Sequence, residues 1–135
     1  MPVESLTIER RIPYRGGAAF GDVGSYEQID GVLHYAVDPT DPANARIVDL
    51  ALAPCDEDGR VRFKGAVTVL RPTDATRGNG TLLLDVPNRG RRLSLAFNLV
   101  GRDAALADPN DPGDGWLFRR GFALATVGWQ WDVDP

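Results

Sequence analysis

Two compact apolar runs near the carboxyl end, Thr81-Leu82-Leu83-Leu84-Asp85-Val86 and Phe122 to Val127, constrain this chain more than any other feature. Between them lies a long stretch, Pro87 to Gly115, rich in Arg, Asp, Asn, Pro and Gly. Trp116 to Gly121 then has the pattern of a helix end closed by a C-terminal glycine. Strand, long crossover, helix end and strand is the order of a βαβ unit, which makes the two runs parallel neighbours. A run apolar on both sides also reads as a central strand buried between layers.

Upstream the pattern is shorter in period and richer in turns, in keeping with the 15 Gly and 10 Pro among 135 residues. Val3 to Ile12 reads as a half-buried strand, with Leu6, Ile8 and Ile12 against Glu9 and Arg11. Tyr26 to Val37 carries Tyr26, Ile29, Val32, Leu33, Tyr35 and Val37 but is interrupted by Asp30-Gly31. That pattern predicts either a bent strand or two strands meeting at a turn. Arg46 to Ala53 is expected to be a further strand with Ile47, Val48, Leu50 and Leu52 in the core, followed by a hairpin loop at Cys55 to Gly59. Val61 to Leu70 alternates, placing Val61, Phe63, Gly65, Val67 and Val69 on one face. The expected fold class is α/β. Residues 1–72 form an antiparallel β-rich region of four to five strands, 73–80 a polar linker, and 81–135 the first parallel βαβ of an incomplete sheet, all in one structural unit.

A net charge of -4 argues against DNA or RNA as a partner, because phosphate binding depends on clustered cations. Arg10-Arg11, Arg89 with Arg91-Arg92, and Arg119-Arg120 are each isolated or offset by acids, and read as solvated surface. A single cysteine, Cys55, excludes an internal disulfide framework. The amino terminus has neither a basic nor an apolar leader region, and no run approaches the roughly 18 apolar residues of a membrane span. The expectation from these features is a soluble, cytoplasmic protein that does not engage membranes.

Several short pieces, in order along the chain, resemble the first part of a family of large α/β-hydrolase domain-containing proteins. They are Gly21-Asp22-Val23-Gly24-Ser25-Tyr26-Glu27, Val37-Asp38-Pro39 with Asn44, and Ile47-Val48-Asp49-Leu50 followed by Ala53-Pro54. After these come Arg77-Gly78-Asn79-Gly80, Val86-Pro87-Asn88-Arg89-Gly90, Arg119-Arg120-Gly121 and Gly128-Trp129-Gln130-Trp131-Asp132. The resemblance implies a serine hydrolase acting on an ester or other acyl bond of a small-molecule substrate. It also implies an oxyanion-hole loop at Asn88, Arg89 and Gly90, where backbone N–H groups or the Asn88 amide would donate to a developing oxyanion. The nucleophile elbow, Gly-x-Ser-x-Gly, and the acid and histidine that follow it in such enzymes do not occur here. Ser5, Ser25 and Ser94 are the three serines, and none lies in that frame. The chain is therefore expected to carry no catalytic residue of its own. Its expected partners are the missing C-terminal hydrolase portion or a second copy of itself.

Other constellations read as structural. His34, the single imidazole, sits within a strand pattern between Leu33 and Tyr35, and Cys55 lies among Asp56, Glu57 and Asp58, which suppress its thiolate. Asp108 to Gly115 has carboxylates in a loop, but Pro112 stands where a calcium loop needs its third side-chain ligand, so no metal site is expected. Neither a nucleotide-binding glycine motif nor a zinc motif is present, and no cofactor is expected. Trp129, Gln130 and Trp131 follow the last apolar run, where α/β sheets place ligand-facing loops, and are candidates for lining a pocket. The rival architecture is a self-contained β-sandwich or barrel binding module without catalysis, in which Phe122 to Val127 pairs antiparallel to Leu82 to Val86. Strand direction discriminates the two.

Overall fold

The structure is a computed structural model that describes residues 3–87, 94–98, 108 and 110–129. Among the described residues five strands form one mixed sheet: β1 (Val3–Pro13), β2 (Tyr26–Val37), β3 (Val61–Pro72), β4 (Leu82–Asp85) and β5 (Ala123–Val127). A short helix, α1 (Trp116–Arg119), precedes β5. The spatial order is β1-β2-β3-β5-β4, with β1, β2, β3 and β5 successively antiparallel and β4 parallel to β5. The two apolar runs therefore lie side by side in the same direction, Leu82 opposite Ala123 through Asp85 opposite Thr126. The sheet is open, and the closed shell of the rival architecture is not what these strands form.

The β1–β2–β3 meander contains fewer and longer strands than the turn signals predict. β2 is a single ladder of 12 residues, paired with β3 from Tyr26–Pro72 to Val37–Val61. Asp30-Gly31 is not a turn. A Cβ on Gly31 would lie 2.3 Å from the Thr7 carbonyl oxygen, beside the register shift between Ile8 and Arg10. The glycine admits a close approach of the β1 backbone at that bulge, the second common use of glycine in a strand.

The expected strand at Arg46 to Ala53 does not form. Residues 38–60 are an excursion beyond the last β2–β3 pair, made of turns and short 3₁₀ segments at Pro42–Asn44 and Leu50–Leu52. Asp49 adopts a left-handed conformation (φ 59°), which interrupts extension, and no neighbouring strand offers this segment a ladder. Val48 and Leu52, expected in the core, are 84% and 81% exposed.

β4 also departs from expectation: it closes the sheet at its edge, and Leu82 and Leu84 remain 56% and 58% exposed. An apolar pattern on both faces says that both faces favour cover, but it does not say where the strand sits in the order. Ile29, Val67 and Ala125, on one face, are buried, and the larger cluster lies on the opposite face. Tyr26, Leu70, Leu124, Tyr14, Leu117 and Phe118 make its buried core, with Leu83 packed alongside. The rings are close: Phe118 lies 4.9 Å from Tyr26 and 4.7 Å from Phe20, geometries in which edge and face charge distributions complement each other.

The helix end at Trp116 to Gly121 is closed as expected. Gly121 has φ 75°, its N–H bonds the Phe118 carbonyl at 3.0 Å, and the Phe122 N–H bonds the Leu117 carbonyl at 3.2 Å. These are the two bonds of a Schellman cap. The polar 73–80 segment docks against this cap. The Asn79 N–H donates to the Gly121 carbonyl at 2.9 Å and its side-chain amide to the Arg120 carbonyl at 2.8 Å.

Candidate functional site

The parallel pair directs the carboxyl ends of β4 and β5 to the same end of the sheet, the place where α/β folds gather ligand-facing loops. One polar side chain from each strand aligns across the sheet at the level of the β4 exit: Arg10, Asp30, Thr68, Thr126 and Asp85 are successive partners in the strand register. Asp30 is the hub. Its carboxylate accepts from Arg10 Nε at 2.8 Å and Nη2 at 2.6 Å, from Gln28 Nε2 at 2.9 Å and from Thr68 Oγ1 at 2.8 Å. Burial acts to raise the Asp30 carboxyl, but the hydrogen bonds from Thr68, Arg10 and Gln28, with the charge of Arg10, together hold it below the usual carboxylate range. At the far end of the row Asp85 is buried, and its Oδ2 accepts the Ser94 N–H at 2.9 Å.

Beyond the row, the chain leaving β5 stays against β3: the Gly128 N–H donates to the Ala66 carbonyl at 2.8 Å. A Cβ on Gly65 would stand 2.5 Å from the Gly128 carbonyl oxygen, so this crossing requires glycine. Trp129 follows, and its Nε1 donates to the Pro87 carbonyl at 2.8 Å. An open cavity of about 670 Å³ lies here, bordered by Phe63, Lys64, Gly65, Gly128 and Trp129. Trp129, a pocket candidate from sequence, is thus placed on a cavity and against the exit of β4. Gln130 and Trp131 lie outside the described residues, as do the oxyanion candidates Asn88, Arg89 and Gly90.

The groups read as structural hold to local partners. Among the described residues, the His34 imidazole hydrogen-bonds Thr7 Oγ1 at 3.1 Å and no serine or thiol. Cys55 is exposed in its loop. The carboxylates of Asp108, Asp111 and Asp114 each accept a backbone N–H two residues ahead, from Asn110, Gly113 and Trp116, as loop-capping aspartates do. Arg10 and Arg11 join Asp30 and Glu27 in ion pairs across the β1–β2 ladder.

Sequence reading missed Asp85, Ser94 and Asn98 as a buried polar group beside the β4 exit. Asp85 has a sequence signal, being the one charge closing an apolar run. Asn98 has none: it is fully buried, its Oδ1 accepts the Leu117 N–H at 2.7 Å, and its Nδ2 has no partner among the described residues. Phe63, Lys64 and Gly65 were also missed, because only the antiparallel β3–β5 pairing brings their strand to the β5 exit.

The pieces that carry the hydrolase resemblance meet in space. The Arg77 guanidinium donates to the Asp22 carbonyl at 2.8 Å, and the Thr73 N–H to the Ser25 carbonyl at 2.9 Å. Tyr26 Oη donates to the carbonyls of Phe118 and Phe122, each at 3.0 Å. With the Asn79 bonds to Arg120 and Gly121, three of the quoted segments form one junction. They build the fold at the opposite end of β5 from the cavity. Comparison with protein families, with characterised proteins and with solved structures finds no match to this chain.

Proposed function

We propose that this chain is the β-rich opening segment of an α/β-hydrolase-type enzyme that cleaves an ester or other acyl bond, with its nucleophile, acid and histidine supplied by polypeptide outside these 135 residues. The observation that carries this reading is the parallel β4/β5 pair, set beside an antiparallel meander and joined at its carboxyl ends by the Trp129–Pro87 bond. In this reading the Asn88-Arg89-Gly90 loop leaves β4 to supply oxyanion donors, and Trp129, Gln130 and Trp131 border the acyl or aromatic part of the substrate. The cavity lined by Phe63 and Trp129 supports that role for Trp129. The meeting of the Asp22, Arg77 and Gly121 segments supports treating the quoted pieces as one fold signature.

The edge chemistry of the sheet agrees. β1 is blunted by two register shifts and carries Glu4, Glu9, Arg10 and Arg11, devices that keep an edge from pairing. β4 has no such shift, and Leu82 to Leu84 are uncharged. An enlarged sheet therefore grows from β4. The test is a short activated ester together with a serine-reactive phosphonate. The 135-residue chain gives neither saturable turnover nor labelling, whereas a polypeptide extended by its downstream coding sequence, carrying an in-frame Gly-x-Ser-x-Gly, gives both. Turnover by the short chain that disappears in Ser94→Ala overturns the incompleteness. An extended chain without that motif removes the hydrolase reading.

A further inference from the structure

The cavity at the β5 exit brings two open aromatic surfaces together. Trp129 is 60% exposed and meets no other ring among the described residues. At the same cavity Phe63 is 43% exposed and stacks on Tyr35, with ring centroids 4.7 Å apart and planes 12° from parallel. The Tyr35 ring in turn lies over Gly65, where a Cβ would stand 3.6 Å from Tyr35 Cε2. Phe63 is thus backed by a second ring, and Trp129 is held by its bond to the Pro87 carbonyl. Both rings are set before a ligand arrives, which lowers the ordering cost of binding. Gly65, Ala66 and Gly128 also border the cavity and have little side chain with which to fill its 670 Å³. Such a site favours a flat, apolar ring.

Charge narrows the ligand. No carboxylate borders this cavity, whereas Lys64, the single lysine of the chain, does. Among the described residues Lys64 enters no ion pair. A second open cavity, of about 510 Å³, shares Phe63 and Lys64, but its other charges are Glu4 and Arg62, which pair with each other. The Trp129 side therefore carries one uncompensated positive charge beside two exposed rings, in a chain whose net charge is -4. One ammonium balances a monocarboxylate, whereas a phosphate dianion would keep a charge unmatched. We infer that this cavity binds a planar aromatic carboxylate, its ring against Trp129 and Phe63 and its carboxylate at the Lys64 ammonium. The use of the site rests on the hydrolase reading: the substrate is then an aromatic acyl compound with a free carboxylate apart from the bond to be cleaved. Binding itself needs no catalytic residue.

Calorimetric titration of the 135-residue chain with 2-naphthoate at low ionic strength tests it, with a dissociation constant of roughly 1 mM or below expected for a ligand of this size. 2-Naphthamide, which lacks the charge, binds about two- to fivefold more weakly. Decahydro-2-naphthoate keeps the charge but lacks the flat ring, and binds about tenfold more weakly. Lys64→Gln lowers naphthoate to the level of the amide and removes the salt dependence. Trp129→Ala and Phe63→Ala each weaken binding by about three- to tenfold. Trp116→Ala, at an exposed tryptophan that does not border the cavity, leaves binding unchanged. All four substitutions fall at exposed positions and keep the β-sheet circular dichroism. Undetectable binding overturns the inference, as does equal affinity for the flat and the saturated acid, or indifference to either Trp129→Ala or Lys64→Gln. Naphthoate binding by a chain whose downstream sequence lacks Gly-x-Ser-x-Gly supports the site and removes only its hydrolase use. A downstream motif without naphthoate binding removes the ligand class and leaves the hydrolase reading standing.

Discussion

Trp129 Nε1 donates to the main-chain carbonyl of Pro87 at 2.8 Å, so the chain leaving β5 is tied to the chain leaving β4 by one side chain. Two parallel strands share no turn at this end, and among the described residues β4 and β5 otherwise pair with each other through four register pairs from Leu82–Ala123 to Asp85–Thr126. Trp129→Phe keeps an aromatic, though smaller, ring and removes the donor. It is expected to cost about 0.5–1.5 kcal/mol in urea unfolding and to speed amide exchange at the β4 exit. Unchanged exchange there would show that the bond does not organise the site.

Gly31→Ala is expected to be among the most damaging small substitutions. Its Cβ meets backbone, the Thr7 carbonyl oxygen at 2.3 Å, which no rotamer change relieves. Displacing β1 from β2 costs about 1–3 kcal/mol, as for overpacking elsewhere. A midpoint equal to wild type in denaturant titration would contradict the close approach at this bulge.

Tyr26 links stability to alkaline pH. Burial pushes its phenol from 10.0 up to about 12, and its hydroxyl donates to the carbonyls of Phe118 and Phe122. The folded state favours the protonated phenol. Its contribution is therefore complete below pH 10.0, where the unfolded phenol is also neutral, and is lost as pH rises through about 12. Tyr26→Phe removes that pH dependence and, by removing the hydroxyl shared between the two carbonyls, lowers neutral-pH stability by about 0.5–1.5 kcal/mol. Equal alkaline slopes for the two proteins, measured by chemical unfolding at a series of pH values, would refute the linkage.

Asp30 acts at the opposite end of the pH scale. Its carboxyl is held below the usual range in the folded state. The ionised form is the stabilising one, present above the ordinary carboxylate value and lost as pH falls through the depressed folded value. Asp30→Asn is expected to flatten the acid limb of the stability curve. It also weakens the bonds to Arg10, Gln28 and Thr68, at a cost of about 1–3 kcal/mol near neutrality. An acid limb as steep in Asp30→Asn as in wild type would place the titrating group elsewhere.

Leu52→Ala provides the contrast. Sequence periodicity puts Leu52 in the core, but it is 81% exposed in the 38–60 excursion. The substitution is expected to change unfolding free energy by no more than about 0.5 kcal/mol, whereas Leu124→Ala, in the core, costs about 2–5 kcal/mol. A large loss for Leu52→Ala would restore this segment to the core.

What the sequence determined by itself is the local chemistry and one long-range relation. The strands at Val3–Ile12 and Val61–Leu70, the glycine cap at Gly121 and the parallel direction of the two apolar runs were legible, whereas the half-burial expected of Val3–Ile12 is not found, since β1 is exposed along nearly its whole length. In each case a short-range constraint, period or turn chemistry, narrows the backbone conformation, and a long crossover ending in a helix favours parallel strands, which only the structure distinguishes from the antiparallel rival. Of the candidate site, position alone was legible: Trp129 stands where the last strand ends, but nothing near it in sequence points to Pro87, Phe63 or Lys64. Tertiary structure decided the rest. Strand order set β4 at an edge and so exposed Leu82 and Leu84, and the full-length β2–β3 ladder left Val48 and Leu52 outside the sheet. Asp30-Gly31 became a close approach and not a turn because β1 runs over it. The physical reason is common to all three. An apolar residue or a glycine states what its surroundings must permit, whereas which neighbour arrives to meet that requirement is settled by pairings between residues far apart in the chain.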